Sequence, residues 1–365
     1  MQKIIATVTN DLSQDQRMHR ICTSLARAGY DLTLVGRELP DSLPLPDRPY
    51  QQHRILCKHL SGKQFYWEYN QKLTDFLKRA KPAVINSVDL DTLWAGYKAA
   101  KTLGAKLVYD AHEYFHETPE VVHRPLIRWI WKQVGAMLIP HTDARYTVGP
   151  ALAQELSAVY GLPFGVIRNM PYRQHLSEKG PIKEPRILLY QGVLNRGRGI
   201  ELAIDTLAQL PDWQLWIAGR GDLEEDFRRS SLQSGVDDRV RWLGFVPPEQ
   251  LPAITEQAHL GLNLLSADSP SYYYSLANKT YDYMQAGLPA IHMDFPEYRR
   301  IQQSVGGVLL LEKLSIEKLV ALIRQLDEKP NLYRHLHAQC IAAAQHLNWE
   351  QEEEKLVEIY KGLMP

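Results

Sequence analysis

Three cysteines in 365 residues, at positions 22, 57 and 340, are too few and too far apart for a disulfide framework or a zinc knuckle. Cys22 falls on the apolar face of a predicted helix, and such usage fits a reducing, cytoplasmic compartment. No apolar run approaches the roughly 18 residues that would span a bilayer. The opening residues, Met1 to Val8, are too short for a signal-peptide core and read as a first strand. Net charge is also missing. The 42 Lys and Arg balance 42 Asp and Glu, so nothing global points to nucleic acid as a partner. There is no repeat of solenoid period and no low-complexity segment.

The balance hides an asymmetry. Residues 1–175 carry 22 basic against 16 acidic side chains, and residues 176–365 carry 20 against 26. Two modules with different partners give such a pattern, the basic one suited to an anionic surface, and so does chance variation between domains. A composition of 45% hydrophobic and 23% charged residues is that of an ordinary globular enzyme, and the length suggests two domains.

Short apolar runs alternate with amphipathic helical stretches from end to end, which predicts an α/β fold with parallel sheets covered by helices. In the first half the strands are expected at 3–8, 31–35, 83–86, 106–110 and 144–148. A polar stretch from Asn169 through Gly180-Pro181 interrupts the alternation. It reads as a hinge at 169–183 between a Rossmann-like domain at 1–168 and a second at 184–347. In the second domain strands are expected at 186–191, 213–218, 239–243, 259–265, 288–292 and 307–311. A charged helical tail at 348–365 is expected to pack back on the first domain. Two doubly wound domains predict a ligand cleft between them, at the carboxyl ends of the strands.

The second half holds the most specific motifs. Gln191-Gly192-Val193-Leu194-Asn195-Arg196-Gly197-Arg198-Gly199 follows a strand and precedes a helix. Glycines let backbone amides approach phosphate oxygens, and arginine pairs with them through its planar fork; a surface turn with solvated charges is the plainer alternative. Further on, a helix is expected to start near Ser275–Asn278, both good N-cap types. Its free amides favour an anion. Lys279 in its first turn is unfavourable unless something negative is bound there, and a diphosphate would supply that. Asp282 lies three residues on, within reach of a ribose hydroxyl pair; alternatively it pairs with Lys279 on an ordinary surface helix.

The run Lys279-Thr280-Tyr281-Asp282-Tyr283-Met284-Gln285-Ala286-Gly287-Leu288-Pro289 resembles the sugar-donor motif of retaining glycosyltransferase family 4, on the GT-B fold. The resemblance extends over nearly the whole chain. Ile217-Ala218-Gly219-Arg220-Gly221 is similar to the family's turn after its second C-terminal-domain strand. Arg241-Trp242-Leu243-Gly244-Phe245-Val246-Pro247 is similar to its base-binding strand and loop, and Trp349-Glu350 to the start of its last helix. Thr9-Asn10-Asp11, Asp15-Gln16-Arg17 and Tyr109-Asp110-Ala111-His112-Glu113 match a subgroup.

The resemblance implies two Rossmann-like domains facing across a cleft, with a C-terminal helix crossing back. It implies a sugar-donor site from Gly192, Arg196, Arg198, Gly219, Phe245, Tyr274, Ser275, Lys279 and Asp282. It places acceptor contacts at Asp15, Arg17, Asp91 and Glu113, and His112 against the donor sugar or the leaving phosphate, with a structural histidine as the alternative. The cosubstrate is a nucleotide-diphosphate sugar, with no further cofactor and no metal; the acceptor is a glycan or a lipid-linked sugar. Two departures stand out. The family's Glu-x7-Glu pair is Tyr274 and Asp282 here, which leaves the sugar open. The arginine that commonly follows the first glycine is Val193, with Arg196 as a candidate replacement.

Two strings point elsewhere. Asp89-Leu90-Asp91 is an Asp-x-Asp, a divalent-metal motif in other glycosyltransferases; Asp91 reads better as a helix cap or an acceptor contact. His112-Glu113-Tyr114-Phe115-His116 fits the zinc-protease string, whose chemistry needs one helix face. Here it follows a strand and precedes Thr118-Pro119, so no helix is expected. Arg124-Pro125-Leu126-Ile127-Arg128-Trp129-Ile130-Trp131-Lys132 mixes bases with aromatics. It reads as a helix packing Leu126, Ile130 and Val134 on the sheet, or as one lying on a membrane surface. The remaining readings are a GT-B subunit without turnover, a nucleotide-sugar epimerase, and a dinucleotide oxidoreductase, the last lacking Gly-x-Gly-x-x-Gly after the first strand.

Overall fold

Ile4, Ile5, Leu34, Val84, Ile85 and Val108 are all fully buried, as in central strands of a parallel sheet covered on both faces. The computed structural model describes residues 1–13, 15–174 and 186–363. Two units are distinguished, Met1–Asn169 together with the chain from Gln351 onward, and Met170–Glu350. In the first, β1 (Lys3–Thr7), β2 (Asp31–Glu38), β3 (Gln51–Leu56), β4 (Val84–Val88), β5 (Lys106–Ala111), β6 (Ala144–Thr147) and β7 (Gly165–Val166) pair in the order 3-2-1-4-5-6-7. In the second, β8 (Arg186–Gln191), β9 (Trp213–Ala218), β10 (Val240–Gly244), β11 (Leu260–Asn263), β12 (Ala290–Met293) and β13 (Val308–Leu311) pair in the order 10-9-8-11-12-13. Every pairing is parallel.

Both sheets are doubly wound. The order reverses at β1/β4 in one and at β8/β11 in the other, the points where open parallel sheets bind ligands at the carboxyl ends of their strands. The second core shows how one strand serves two layers. Leu188 and Tyr190 join the cluster under Ile204 and Leu215, while Ile187 and Leu189 join Trp216 and Tyr283 on the other face. Among the described residues, no helix is long and apolar enough to cross a membrane.

The expected strands are present, but two are additional. β3 is an edge strand of sequence Gln-Gln-His-Arg-Ile-Leu in which only Ile55 is buried, and β7 has two residues. A helix at Pro296–Ser304 was also not expected. The hinge expected at 169–183 begins as packed chain. Met170 is buried in the second core, and the Pro171 carbonyl accepts the Trp349 N–H at 2.8 Å. Residues 175–183 of that expectation lie outside the described residues. The final helix, Trp349–Gly362, passes from one unit to the other between Glu350 and Gln351 rather than before 348. Within the first unit its Glu352, 1% exposed, accepts the Arg168 N–H at 2.8 Å, and Glu353 accepts the Ser24 hydroxyl at 2.7 Å.

Candidate functional site

In the second unit the site is assembled from the loops after β8, β9 and β10 and one helix start. Gly219, at φ +154°, is forced to be glycine, because a Cβ there would overlap the carbonyl oxygen of Gly192. The close approach is held by hydrogen bonds between loops. Gly192 N–H donates to the Ala218 carbonyl at 2.9 Å, Leu194 N–H to Arg220 at 3.0 Å, and Gly219 N–H to Gly244 at 2.7 Å. Phe245 stands next to that last contact, about half exposed.

The helix Asn278–Gln285 lies over β11. Tyr283 pins it, its hydroxyl donating to the Leu189 carbonyl at 3.0 Å; a Cβ at Gly261 would come 2.5 Å from the Tyr283 ring. Lys279 is one turn earlier on the same face, so it is drawn into the interior, 7% exposed. Its ammonium lies 3.9 Å from the centre of the Tyr190 ring, and among the described residues its Nζ has no hydrogen-bond partner. A Cβ at Gly192 would sit 3.4 Å from it. Burial, reinforced by the nearby Arg198 cation and only partly opposed by Asp282, holds the Lys279 ammonium well below the usual lysine range. Arg198 stacks its guanidinium 4.8 Å from the centre of the Tyr272 ring, with a buried Nε that has no hydrogen-bond partner among the described residues. The arrangement is a cationic pocket under glycine backbone, suited to an anion.

The other expected residues divide. Asp282 does not pair with Lys279 by hydrogen bond; its Oδ2 accepts from Gln191 Nε2 at 3.0 Å, and Gln191 in turn accepts the Thr255 hydroxyl at 3.1 Å. Neither Ser275 nor Asn278 caps the helix. The cap is Ala277, without a side-chain acceptor, and its N–H donates to the Tyr298 hydroxyl at 3.2 Å. Ser275 instead donates to the Tyr272 carbonyl at 2.8 Å. Tyr274 ends a short helix, Pro270–Tyr273, edge-on to Tyr273. Arg196 is exposed and makes no ion pair among the described residues. Tyr190, Gln191 and Tyr272 were missed by sequence reasoning. The first two look like the end of a buried strand, and Tyr272 is one of three consecutive tyrosines.

The first unit gathers charge at the ends of β4 and β5. Asp110 is fully buried. Its Oδ1 receives Arg17 Nη2 at 2.8 Å, and its Oδ2 lies 3.2 Å from His112 Nε2. Arg17 also donates to the Ile167 carbonyl at 2.7 Å, so it supports Asp110 rather than projecting toward a ligand. Burial works against an imidazolium at His112, but the charge and hydrogen bond of Asp110 outweigh it and raise the histidine above its ordinary value. The His112 backbone N–H donates to Asp89 Oδ1 at 2.9 Å, and Asp89 holds φ +54°, a strained value for a non-glycine residue.

Asp91 is not a helix cap. The helix begins two residues earlier, at Asp89, and Asp91 accepts the Thr9 hydroxyl at 2.6 Å across the β1/β4 switch point. Burial pushes its carboxyl up to about 6, against the pull of that hydrogen bond. Asp15 is the N-cap of the helix Gln16–Arg27, accepting the Met18 N–H at 2.9 Å. Glu113 is exposed beside His112. The His-Glu-x-x-His string shares no helix: only Phe115–Glu117 form a 3-10 turn, and His116 is buried against Glu117 while His112 faces Asp110. Among the described residues no three of His, Cys, Asp or Glu are grouped to hold a metal ion.

The helix Pro125–Leu138 does not pack Leu126 and Ile130 on the sheet: they are 70% and 45% exposed, and the helix buries only Gly135 and Leu138. Its polar side holds it instead. Arg128 and Lys132 reach the buried Glu117 at 2.7 and 3.0 Å.

Solved structures resemble this chain along its whole length. Sucrose-phosphate synthase from Thermosynechococcus elongatus matches with a TM-score of 0.84 at 17% identity, covering 100% of this chain and 99% of that one. HepE of Anabaena, in complex with UDP-glucose, matches at 0.78 and 14%, covering 99% and 100%. These likenesses establish the GT-B fold. In sequence, residues 14–171 match Glycosyltransferase Family 4 and residues 173–346 match Glycosyl transferases group 1. The chain therefore belongs to the group 1 glycosyltransferases. A relative from Xanthomonas oryzae, GDP-mannose:cellobiosyl-diphosphopolyprenol alpha-mannosyltransferase, is 26% identical over 61% of this chain; the match spans 58% of that protein's length.

Proposed function

We propose that this protein transfers a sugar from a nucleotide-diphosphate donor to a glycan or lipid-linked acceptor, with retention, in the synthesis of an envelope polysaccharide or related glycan. The observation that carries the reading is the buried, unpartnered Lys279 ammonium beside Gly192 and Arg198. Such a cation is costly alone and is satisfied by a diphosphate. In this reading Lys279 and Arg198 hold the diphosphate, Asp282 takes the ribose hydroxyls, the loop at Phe245 meets the base, and Ser275 and Tyr274 flank the sugar. The acceptor oxygen bonds to the anomeric carbon as the bond to the leaving phosphate breaks. That phosphate takes the acceptor's proton, so no protein nucleophile is needed. The chain contributes positioning and charge stabilisation, with His112 held by Asp110 toward the reacting groups. Asp91 and Glu113 orient the acceptor.

The UDP-glucose complex of HepE and the diphosphopolyprenol named for the Xanthomonas relative support a nucleotide-sugar donor and a lipid-linked acceptor. The exposed apolar side chains of residues 124–132 support contact with a membrane surface, on its cytoplasmic face. A subunit that binds nucleotide without turnover is the competing reading, favoured by Val193 and Tyr274 in place of charged residues. Screening UDP-, GDP- and ADP-sugars by thermal shift, then assaying turnover of the one that stabilises, tests both. No stabilisation by any of them would refute the sugar-donor site, and stabilisation without transfer to any acceptor would favour the competing reading.

A further inference from the structure

The first unit carries a groove of about 1180 Å³ between the helices Gly62–Ala80, Asp89–Leu103 and Pro125–Leu138. Its apolar wall is built from Trp67, Trp94, Ile127, Ile130 and Trp131. On the last of these helices, Ile127, Ile130, Trp131 and Val134 recur at i, i+3, i+4 and i+7, the spacing of a core-facing stripe. The stripe faces the groove instead, because Arg128 and Lys132 anchor the opposite side of the helix to Glu117. Trp67 is 66% exposed and Trp94 38%. Large apolar side chains left in water at the mouth of one cavity mark a ligand surface.

The charge of the groove is complementary to an anion. Lys63, Lys78, Lys98, Lys101 and Arg124 line it, against Asp75, Asp91 and Glu120. None of the five cations is in an ion pair among the described residues, and Lys98 lies 4.9 Å over the Trp94 ring. The order of groups along one helix adds direction. Asp91, Trp94, Lys98 and Lys101 follow each other down the groove from the carboxyl end of β4. At 1.5 Å per residue Lys98 lies about 10 Å and Lys101 about 15 Å from Asp91. That spacing leaves room for a short sugar head at Asp91, an anion at the lysines and a hydrocarbon chain along the tryptophans and isoleucines.

We propose that this groove seats a lipid-linked acceptor: a polyisoprenoid chain on the apolar wall, its diphosphate at Lys98 and Lys101, and its sugar at Asp91. The assignment rests on the glycosyl-transfer reading and deepens it by naming the acceptor's class and seat.

Geranylgeranyl diphosphate is the probe, titrated into the full chain with tryptophan fluorescence as readout. The expected result is saturable quenching. Ile130→Glu should weaken binding about tenfold or more, and so should Lys98→Glu combined with Lys101→Glu. Both sites are at the surface, so unchanged thermal melts should accompany the loss. Inorganic diphosphate and geranylgeraniol offered singly should each bind more weakly than the whole probe. Absence of saturable binding would overturn the proposal. So would binding that both variants leave untouched. Vesicles of phosphatidylglycerol distinguish a bilayer-docking patch: if both variants lose vesicle binding while the soluble prenyl diphosphate never binds, the groove is not an acceptor seat. Nucleotide affinity, measured in the same variants, should stay unchanged. If nucleotide fails to bind the unmodified chain, it is the glycosyl-transfer reading that has failed, whatever the groove does.

Discussion

Lys279 is the residue on which most of the proposed chemistry turns. Buried without a hydrogen-bond partner among the described residues, it is held below the lysine range, and a bound diphosphate would shift it back up. Nucleotide binding should therefore take up protons, more of them as pH rises, measurable by calorimetry in buffers of different ionisation enthalpy. Lys279→Ala should abolish that uptake and weaken nucleotide binding about 100-fold while leaving the fold intact. Asp282→Ala should also weaken nucleotide binding, and Gln191→Ala should do so more mildly, because Gln191 holds the carboxylate. Tyr274→Phe should spare nucleotide affinity and alter at most the choice of sugar. Asp91 offers a pH test. Its folded pKa of about 6 is raised, so the native state binds its proton more tightly than the unfolded chain. Stability is thus lost as pH rises from the unfolded value of about 4 through 6. Asp91→Asn should raise stability at pH 8 by roughly 1–3 kcal/mol. If the ionised form binds the acceptor, kcat/KM of the parent protein should fall below about pH 6, and the variant should lose both activity and that pH limb.

At the scale of elements, close backbone contact between the loops after β8 and β9 shapes the proposed sugar-donor site. Gly219→Ala would place a methyl against the Gly192 carbonyl at a φ that favours glycine, costing about 3 kcal/mol or more in denaturant unfolding. Nucleotide binding should fall with it, because the two loops can no longer approach. The helix Pro125–Leu138 depends on a different device. Glu117 is held below the usual carboxylate range; burial opposes this, but Arg128 and Lys132 prevail. A depressed carboxylate contributes stability above its unfolded pKa and loses it as pH falls through the folded value, so hydrogen exchange in residues 125–138 should quicken below about pH 4. Glu117→Gln should reproduce the effect at neutral pH, at a cost of about 2 kcal/mol. Elements with apolar cores were legible in the sequence. β3 was not, because an edge strand buries little and Gln51-Gln52-His53-Arg54 reads as polar loop. The caps expected of Ser275 and Asn278 failed because Tyr298, twenty-one residues from Ala277, fixes the helix entry.

For the whole molecule, activity should survive chelation by EDTA. Lys279 and Arg198 would neutralise the diphosphate without a metal ion; loss of turnover in EDTA with rescue by manganese would send attention back to Asp89 and Asp91. Two doubly wound sheets were readable from the alternation of apolar runs with amphipathic helices, because buried parallel strands must be apolar on both faces whatever the topology around them. The proposed sugar-donor residues also stand out in the sequence, since glycines between a strand and a helix, and a lysine in a helix's first turn, carry their chemistry in local order. Tertiary structure alone decided which charges are available. Arg17 and Asp15 read as ligand contacts but are taken up by Asp110 and a helix end. Ile130 and Val134, read with Leu126 as packing on the sheet or lying on a membrane surface, line a groove, while Arg128 and Lys132 of the same helix pair with the buried Glu117. For Arg17 the deciding partner is distant in sequence. Arg17 is 93 residues from Asp110, and a pairing at that range is set by packing, which no local pattern encodes.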